Sequence, residues 1–303
     1  MIDIVLCTDE NYAAYCAVVM VSALKNTEVP HLFRFNILTL GLNKETSDRL
    51  KKLVESYNAN LNIIEVNTHD FEKVKTNLGR FGISALLRLN LDMYLSPECK
   101  RAIYLDCDLL ILTDLKILWD IDIKDNTVGA IVDLCSPSEF LSRNKPYFNS
   151  GVLIINILKW RENKIGENSI NYLSNLKEES KYPDQDALNS ILSNDWESLN
   201  ISFNMQPAAY TAYEKKYNHI PRKQIEEAVY YPNIVHFIGP VKPWHVNCTH
   251  PLQSLFLEFS NLTPWPISQK DLLTKMSWTK RIKRLFKHLK INKRRKLTKY
   301  QIK

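Results

Sequence analysis

Apolar, largely β-branched runs bounded by polar residues recur at positions 2–7, 33–40, 61–66, 102–105, 128–132 and 152–156. Each has the length and composition of a buried strand. Between them, residues 13–26 and 43–57 place apolar side chains at helical spacing, and a shorter helical run covers 187–192. Strands alternating with helices predict an α/β chain with a largely parallel sheet covered by helices. Residues 195–266 are rich in Tyr, Pro and Asn without a sustained period, and are expected to be irregular and to pack against the sheet domain.

A different pattern begins at Trp278. Trp278, Ile282, Leu285, Phe286 and Leu289 recur at i, i+4, i+7, i+8 and i+11, with lysines and arginines over most of the remaining positions. That spacing predicts a basic amphipathic helix. Residues 272–303 carry 13 Lys or Arg and no Asp or Glu, leaving 27 basic against 33 acidic residues in the rest of the chain. A basic tail on a mildly acidic body points to an anionic surface as partner. No nucleic-acid recognition module accompanies the charge, so a membrane surface is expected rather than nucleic acid.

With 45% apolar and 24% charged residues, the chain can bury a substantial core and does not read as disordered. No run reaches the roughly 18 to 20 apolar residues of a membrane span, and the start Met-Ile-Asp-Ile-Val lacks a basic leader, so a cytoplasmic protein is expected. The six cysteines form no Cys-x-x-Cys pair and are expected as reduced thiols. Seven glycines and no internal repeat argue against solenoids and propellers.

The strongest chemical signal is Tyr104-Leu-Asp106-Cys-Asp108. A strand delivers two carboxylates one residue apart to its C-terminal end, where open α/β sheets hold ligands and where alternate residues can share one hard cation. The plain alternative is that they cap the next helix or face water. Asp9, Asn11 and Tyr12 follow the first strand, where they suit a nucleoside or, for Asp9 and Asn11, a helix cap. Asp133 ends another strand, and Asn149 opens the next. Asp184 and Gln185 precede the helical run 187–192, where Asp184 would also be a natural cap. His236, Gly239 and Lys242 bring a possible metal ligand, a turn and a cation together within a few residues, although a lone His is more often structural. A two-metal phosphatase is disfavoured, because the other histidines share no motif with the acidic pair.

In this order and spacing, over residues 2 to about 249, these motifs resemble retaining glycosyltransferases of family 8, especially bacterial lipooligosaccharide and lipopolysaccharide galactosyltransferases and glucosyltransferases. The resemblance implies a GT-A fold, a Rossmann-like, mostly parallel mixed sheet flanked by helices, over residues 1–265, followed by a membrane-association segment over 266–303. It implies a UDP-sugar donor, with galactose ahead of glucose, Mn²⁺ or Mg²⁺ as cofactor, and a saccharide acceptor, lipid-linked and met at the inner face of the cytoplasmic membrane. By resemblance, Asp106, Asp108 and His236 ligate the metal. Asp9, Asn11 and Tyr12 hold the uridine, and Gly239 and Lys242 contact the diphosphate. Arg88, Asp133, Asn149, Asp184 and Gln185 surround the sugar. Gln185 is a poor nucleophile, which favours attack on the face of departure, whereas Asp184 is the candidate for a covalent intermediate. The alternatives are a glycogenin-like or other-acceptor transferase of the same family, and a nucleotide-sugar-binding protein without catalysis.

Overall fold

The computed structural model describes residues 1–268 except 73, 75–82, 135–145, 179 and 213–219, together with residues 270, 272, 278, 279 and 282. Most of the basic amphipathic helix expected from Trp278 onward lies outside the described residues. By its internal contacts the chain divides into two units. The first comprises Met1–Ala13, Glu28–Cys107 and Lys116–Asn200, and the second comprises Ala14–Thr27, Asp108–Leu115 and Ile201–Lys303.

The first unit is built on seven strands: β1 (Ile2–Thr8), β2 (Phe33–Thr39), β3 (Asn60–Glu65), β4 (Arg101–Leu105), β6 (Val128–Val132), β7 (Phe148–Asn156) and β8 (Trp196–Ser198). The remaining pair, β5 (Leu109–Ile111) and β9 (Ile234–His236), belongs to the second unit. In space the large sheet runs β3-β2-β1-β4-β7-β6-β8. β3, β2, β1 and β4 are mutually parallel, while β7 runs antiparallel to both neighbours and β6 pairs parallel with β8. The mostly parallel mixed sheet expected from the sequence is present.

Its direction changes fix where chemistry can occur. Because β7 is antiparallel to β4 and β6, its first residues share an edge with their last residues. Asp106, Asp133, Asn149 and the turn after Thr8 therefore stand along one carboxyl edge of the sheet. The predicted strand 152–156 begins four residues earlier, at Phe148. Asn149 and Ser150 interrupt the apolar run there, yet both are buried within the strand, Asn149 opposite Ile131 and Ser150 at the irregularity beside it.

A 3-10 helix, Ile83–Asn90, carries Arg88 and packs in the core with Leu86, Leu87, Leu89, Tyr104, Phe148, Trp160 and Leu188. Trp160 is fully buried and donates from its indole N–H to the Leu89 carbonyl at 3.3 Å. Truncating such a side chain typically costs about 3–5 kcal/mol. Gly166 is required nearby, because a Cβ at that position would stand 2.5 Å from the Leu89 carbonyl oxygen. Helix α2 (Lys44–Glu55) starts at Asn43, whose side chain accepts from the Thr46 N–H at 2.8 Å, and buries Leu50, Leu53 and Val54 on one face.

In the second unit, helix α1 (Ala13–Lys25) has no polar stripe, and residues 16–24 are buried throughout. Ser22 accepts from the Ile111 N–H at 3.0 Å and Asn26 donates to the Ile111 carbonyl at 3.0 Å, tying this helix to β5. Phe237 meets Phe256 edge-on at 5.5 Å, and Tyr15 stacks on Trp244 with ring centroids 3.5 Å apart. The irregularity expected for 195–266 is corrected in part: β8, a 3-10 turn Ile201–Asn204, helices Arg222–Tyr230 and Gln253–Ser260, and β9 stand within it. These pieces are 3 to 9 residues long, too short to impose a readable period.

Candidate functional site

Asp106 follows the last residue of β4, and its N–H donates to the Gly151 carbonyl at 2.9 Å, so the sheet edge sets its place. One carboxylate oxygen accepts from the Tyr104 hydroxyl at 2.8 Å and meets the Arg88 guanidinium at 2.8 Å. Asp106 and Asp108 lie in the turn between β4 and β5 and cap no helix. Arg88 is 7% exposed, lies over the Tyr104 ring at 4.6 Å, and reaches Asp184 at 3.2 Å and the Ser150 hydroxyl at 3.1 Å. Burial opposes its charge, but Asp106 and Asp184 outweigh that and hold it firmly protonated.

Asp184 is not a helix cap. The helix Pro183–Ile191 begins four residues before the predicted run, with Tyr182 at the cap position and Asp184 and Gln185 inside the first turn, both buried. Pro183 at the first helical position explains the early start, since its fixed φ suits a helix and its missing N–H costs nothing there. Asp184 accepts from the Ser150 hydroxyl at 3.1 Å. Burial raises its carboxyl above the ordinary aspartate value despite Arg88.

Gln185 stands at the centre of a closed polar network. Its carbonyl oxygen accepts from the Asn149 amide at 3.0 Å and the Ser150 N–H at 3.1 Å, while its own amide donates to Asp133 at 3.1 Å. Asn149 also donates to Asp133 at 3.2 Å. Three expected sugar-site residues are thereby joined directly. Asn189, one helical turn beyond Gln185, was not singled out in the sequence. It accepts from the Phe148 N–H and donates to the Phe148 carbonyl, both at 2.8 Å, and donates to the Gln185 carbonyl at 2.9 Å.

At the end of β1, Asp9 caps the turn into α1, accepting from the Tyr12 N–H at 3.0 Å, so its capping alternative is realised. Asn11 is exposed, and Tyr12 is 39% exposed. Glu10 secures this turn by accepting from the Asn43 N–H at 3.0 Å and from the Thr46 hydroxyl at 2.6 Å.

In the second unit, the β5–β9 ladder places Leu109 opposite His236 and brings the Asp108 carbonyl to the Phe237 N–H at 3.0 Å. Asp108 and His236 are both buried, with 3.1 Å between Asp108 Oδ1 and His236 Nε2. Lys242 pairs with the other Asp108 oxygen and donates to the Phe237 carbonyl at 2.9 Å. Burial alone would raise the Asp108 carboxyl, but Lys242 and His236 together hold it well below the usual carboxylate range. Gly239 turns the chain at φ +106, a conformation glycine adopts without penalty. His236 Nδ1 lies 2.9 Å from Asn204 Oδ1, a second contact with no sequence signal.

One ligand atom from each of Asp106, Asp108 and His236 lies within 4.8 Å of the other two. Two carboxylate oxygens and one imidazole nitrogen suit a divalent cation of the Mn²⁺ or Mg²⁺ kind. No helix among the described residues is long and apolar enough to cross a membrane.

The family model described as glycosyl transferase family 8 matches residues 3–248. General stress protein A of Bacillus subtilis is 31% identical over 272 residues, covering 88% of this chain and 95% of that protein. A lipopolysaccharide 1,2-glucosyltransferase of Escherichia coli is 26% identical, over 85% of this chain and 77% of its own length. Among solved structures, the galactosyltransferase LgtC in complex with donor and acceptor sugar analogs aligns with a TM-score of 0.77 at 31% identity, covering 87% of this chain and 96% of that one.

Proposed function

The chain belongs to glycosyltransferase family 8, and from that premise we propose that it transfers a hexose, galactose first and glucose second, from its UDP-sugar donor to a lipooligosaccharide or lipopolysaccharide core, with retention at the anomeric carbon. The observation that carries the reading is the convergence of Asp106, Asp108 and His236 on ligand atoms within 4.8 Å. A divalent cation there, Mn²⁺ ahead of Mg²⁺, supplies positive charge toward a departing diphosphate. The chain contributes the rest. Lys242 and the Gly239 turn contact the diphosphate, and Asp9, Asn11 and Tyr12 hold the uridine.

Arg88, Asp133, Asn149, Asp184 and Gln185 surround the hexose. Both lone pairs of the Gln185 carbonyl are engaged, by Asn149 and Ser150, which supports positioning rather than nucleophilic attack. Same-face substitution by the acceptor hydroxyl, with Gln185 orienting the sugar, follows. Asp184 is bound to Arg88 and Ser150, which lowers its nucleophilicity, and remains the group on which a covalent intermediate would form.

The test is UDP release from a panel of UDP-sugars with Mn²⁺ or EDTA, in the presence of lactose-ended and glucose-ended acceptors. Metal-dependent release from UDP-galactose, stimulated by one acceptor, is expected. Release from neither UDP-galactose nor UDP-glucose would remove the hexose assignment and favour a binding protein without catalysis, and stimulation by a protein or glucan acceptor alone would favour a glycogenin-like enzyme.

Residues 1–265 form the catalytic domain in this reading, and 266–303 attach it to the inner face of the cytoplasmic membrane, where a lipid-linked acceptor is met. Support comes from the 13 cations of residues 272–303, each contributing on the order of 1 kcal/mol near an anionic surface. Co-sedimentation with anionic liposomes should be lost on deleting 272–303; equal binding by both proteins counts against the attachment.

A further inference from the structure

We propose that Asn204 is a positioning residue for the metal site, fixing the ring orientation and tautomer of His236 through Nδ1; this rests on the assignment of His236 as a ligand. The geometry supplies three independent supports. Asn204 is fully buried at the end of the 3-10 turn Ile201–Asn204, so its amide has a defined place. Its Oδ1 stands 2.9 Å from His236 Nδ1, and Nε2 is the ring nitrogen turned toward Asp108, 3.1 Å away. The backbone links the two residues as well: Met205, next to Asn204, bridges to β9, its N–H donating to the Ile234 carbonyl at 2.8 Å and its carbonyl accepting from the His236 N–H at 3.0 Å.

The chemistry follows from the imidazole. A neutral ring has one N–H and one lone pair, and only the lone pair binds a cation. An amide oxygen at Nδ1 accepts a hydrogen bond and so places the proton there, leaving the Nε2 lone pair directed at the ligand group. The same contact opposes rotation of the ring about its χ2 axis, which would otherwise carry Nε2 away from Asp108 and put a ring carbon in its place. Outer partners of this kind typically account for 10- to 100-fold in metal affinity.

The experiment uses the full chain and Mn²⁺ alone, followed by electron paramagnetic resonance of the free ion, with His236→Ala as the reference for loss of the ligand. Asn204→Ala is expected to weaken Mn²⁺ binding about 10- to 100-fold. Asn204→Asp, which keeps an acceptor oxygen at the same place, is expected to restore most of it. UDP affinity measured in EDTA should be unaltered in both variants, which separates a role at the metal from general damage to the fold. If the alanine variant does not fold, the wild type decides: with Mg²⁺ and UDP bound, a slowly exchanging downfield proton on His236 Nδ1 is expected, and its absence overturns the proposal. Wild-type affinity in a folded Asn204→Ala also overturns it while leaving His236 a ligand. Equal Mn²⁺ binding by the wild type and His236→Ala removes the ligand assignment and this inference with it.

Discussion

Asn189 pairs with the backbone of Phe148 as though it were one more residue of a strand, accepting from its N–H and donating to its carbonyl at 2.8 Å each. The consequence is felt one and two residues later, where Asn149 and Ser150 face Gln185. Asn189→Ala would leave a buried N–H and a buried carbonyl without these partners. We expect a loss of about 2–4 kcal/mol in urea unfolding and a fall in turnover larger than the change in KM for the donor. Unchanged turnover in a folded variant would show that the start of β7 needs no such support.

The buried charge at Arg88 gives a pH signature. Asp184 already titrates above the ordinary aspartate value because of burial, and removing Arg88 takes away the cation that opposes that rise. A carboxyl whose folded value is raised stabilises the fold below its unfolded value, about 3.9, and that contribution is lost as pH climbs through the folded value. Arg88→Met should therefore lose little stability near pH 4 and about 3–5 kcal/mol near pH 7. Melting curves in EDTA at the two pH values check this, and a penalty independent of pH would contradict it.

The acidic pair and the glutamine should separate by kinetic phenotype. Asp108→Ala is expected to abolish most metal-dependent UDP release, whereas Gln185→Ala should lower kcat more than it raises KM. Full activity in Asp108→Ala would remove the metal assignment. A pure KM effect in Gln185→Ala would make that residue a binding contact alone.

Thiol chemistry offers a check on the core. Burial and neighbouring Asp3 push the Cys99 thiol up to about 12, so at pH 8 almost none of it is thiolate. Iodoacetamide should leave Cys99 unmodified in the native protein and alkylate it in urea, as read by peptide mass spectrometry. Rapid native labelling would mean that the segment around Cys99 opens readily.

The Leu89 carbonyl receives Trp160 and faces Gly166 at close range. Gly166→Ala should cost about 1–3 kcal/mol through overpacking and raise the donor KM, because the displaced 3-10 turn carries Arg88. Stability loss without any kinetic change would confine the effect to packing.

Strand positions were the legible part of this fold, because β1, β2, β4 and β6 are largely buried and read as mainly apolar runs, broken only by Asp3 in β1 and by Arg34 and Asn36 in β2. The acidic residues at the strand ends were legible for the same reason: a charge directly after such a run must sit at a sheet edge. The apolar run marks β7 only from Val152, and although Asn149 reads as opening that strand, the burial of Asn149 and Ser150 depends on partners on the distant helix Pro183–Ile191. Asp184 was readable as a cap only because capping is local, whereas its true partners, Arg88 and Ser150, are 96 and 34 residues away. Asn204 and Asn189 have no signal of their own, because an amide's role depends on what lies opposite it.

The chain leaves the sheet after β6 at Asp133 and returns at Tyr147, and the Asp133 N–H donates to the Tyr147 carbonyl at 2.8 Å. That bond joins the residue after β6 to the residue before β7 like a clasp. Whatever residues are strung between those two positions, the ladder below the clasp keeps its register, and Asp133 and Asn149 keep their mutual placement.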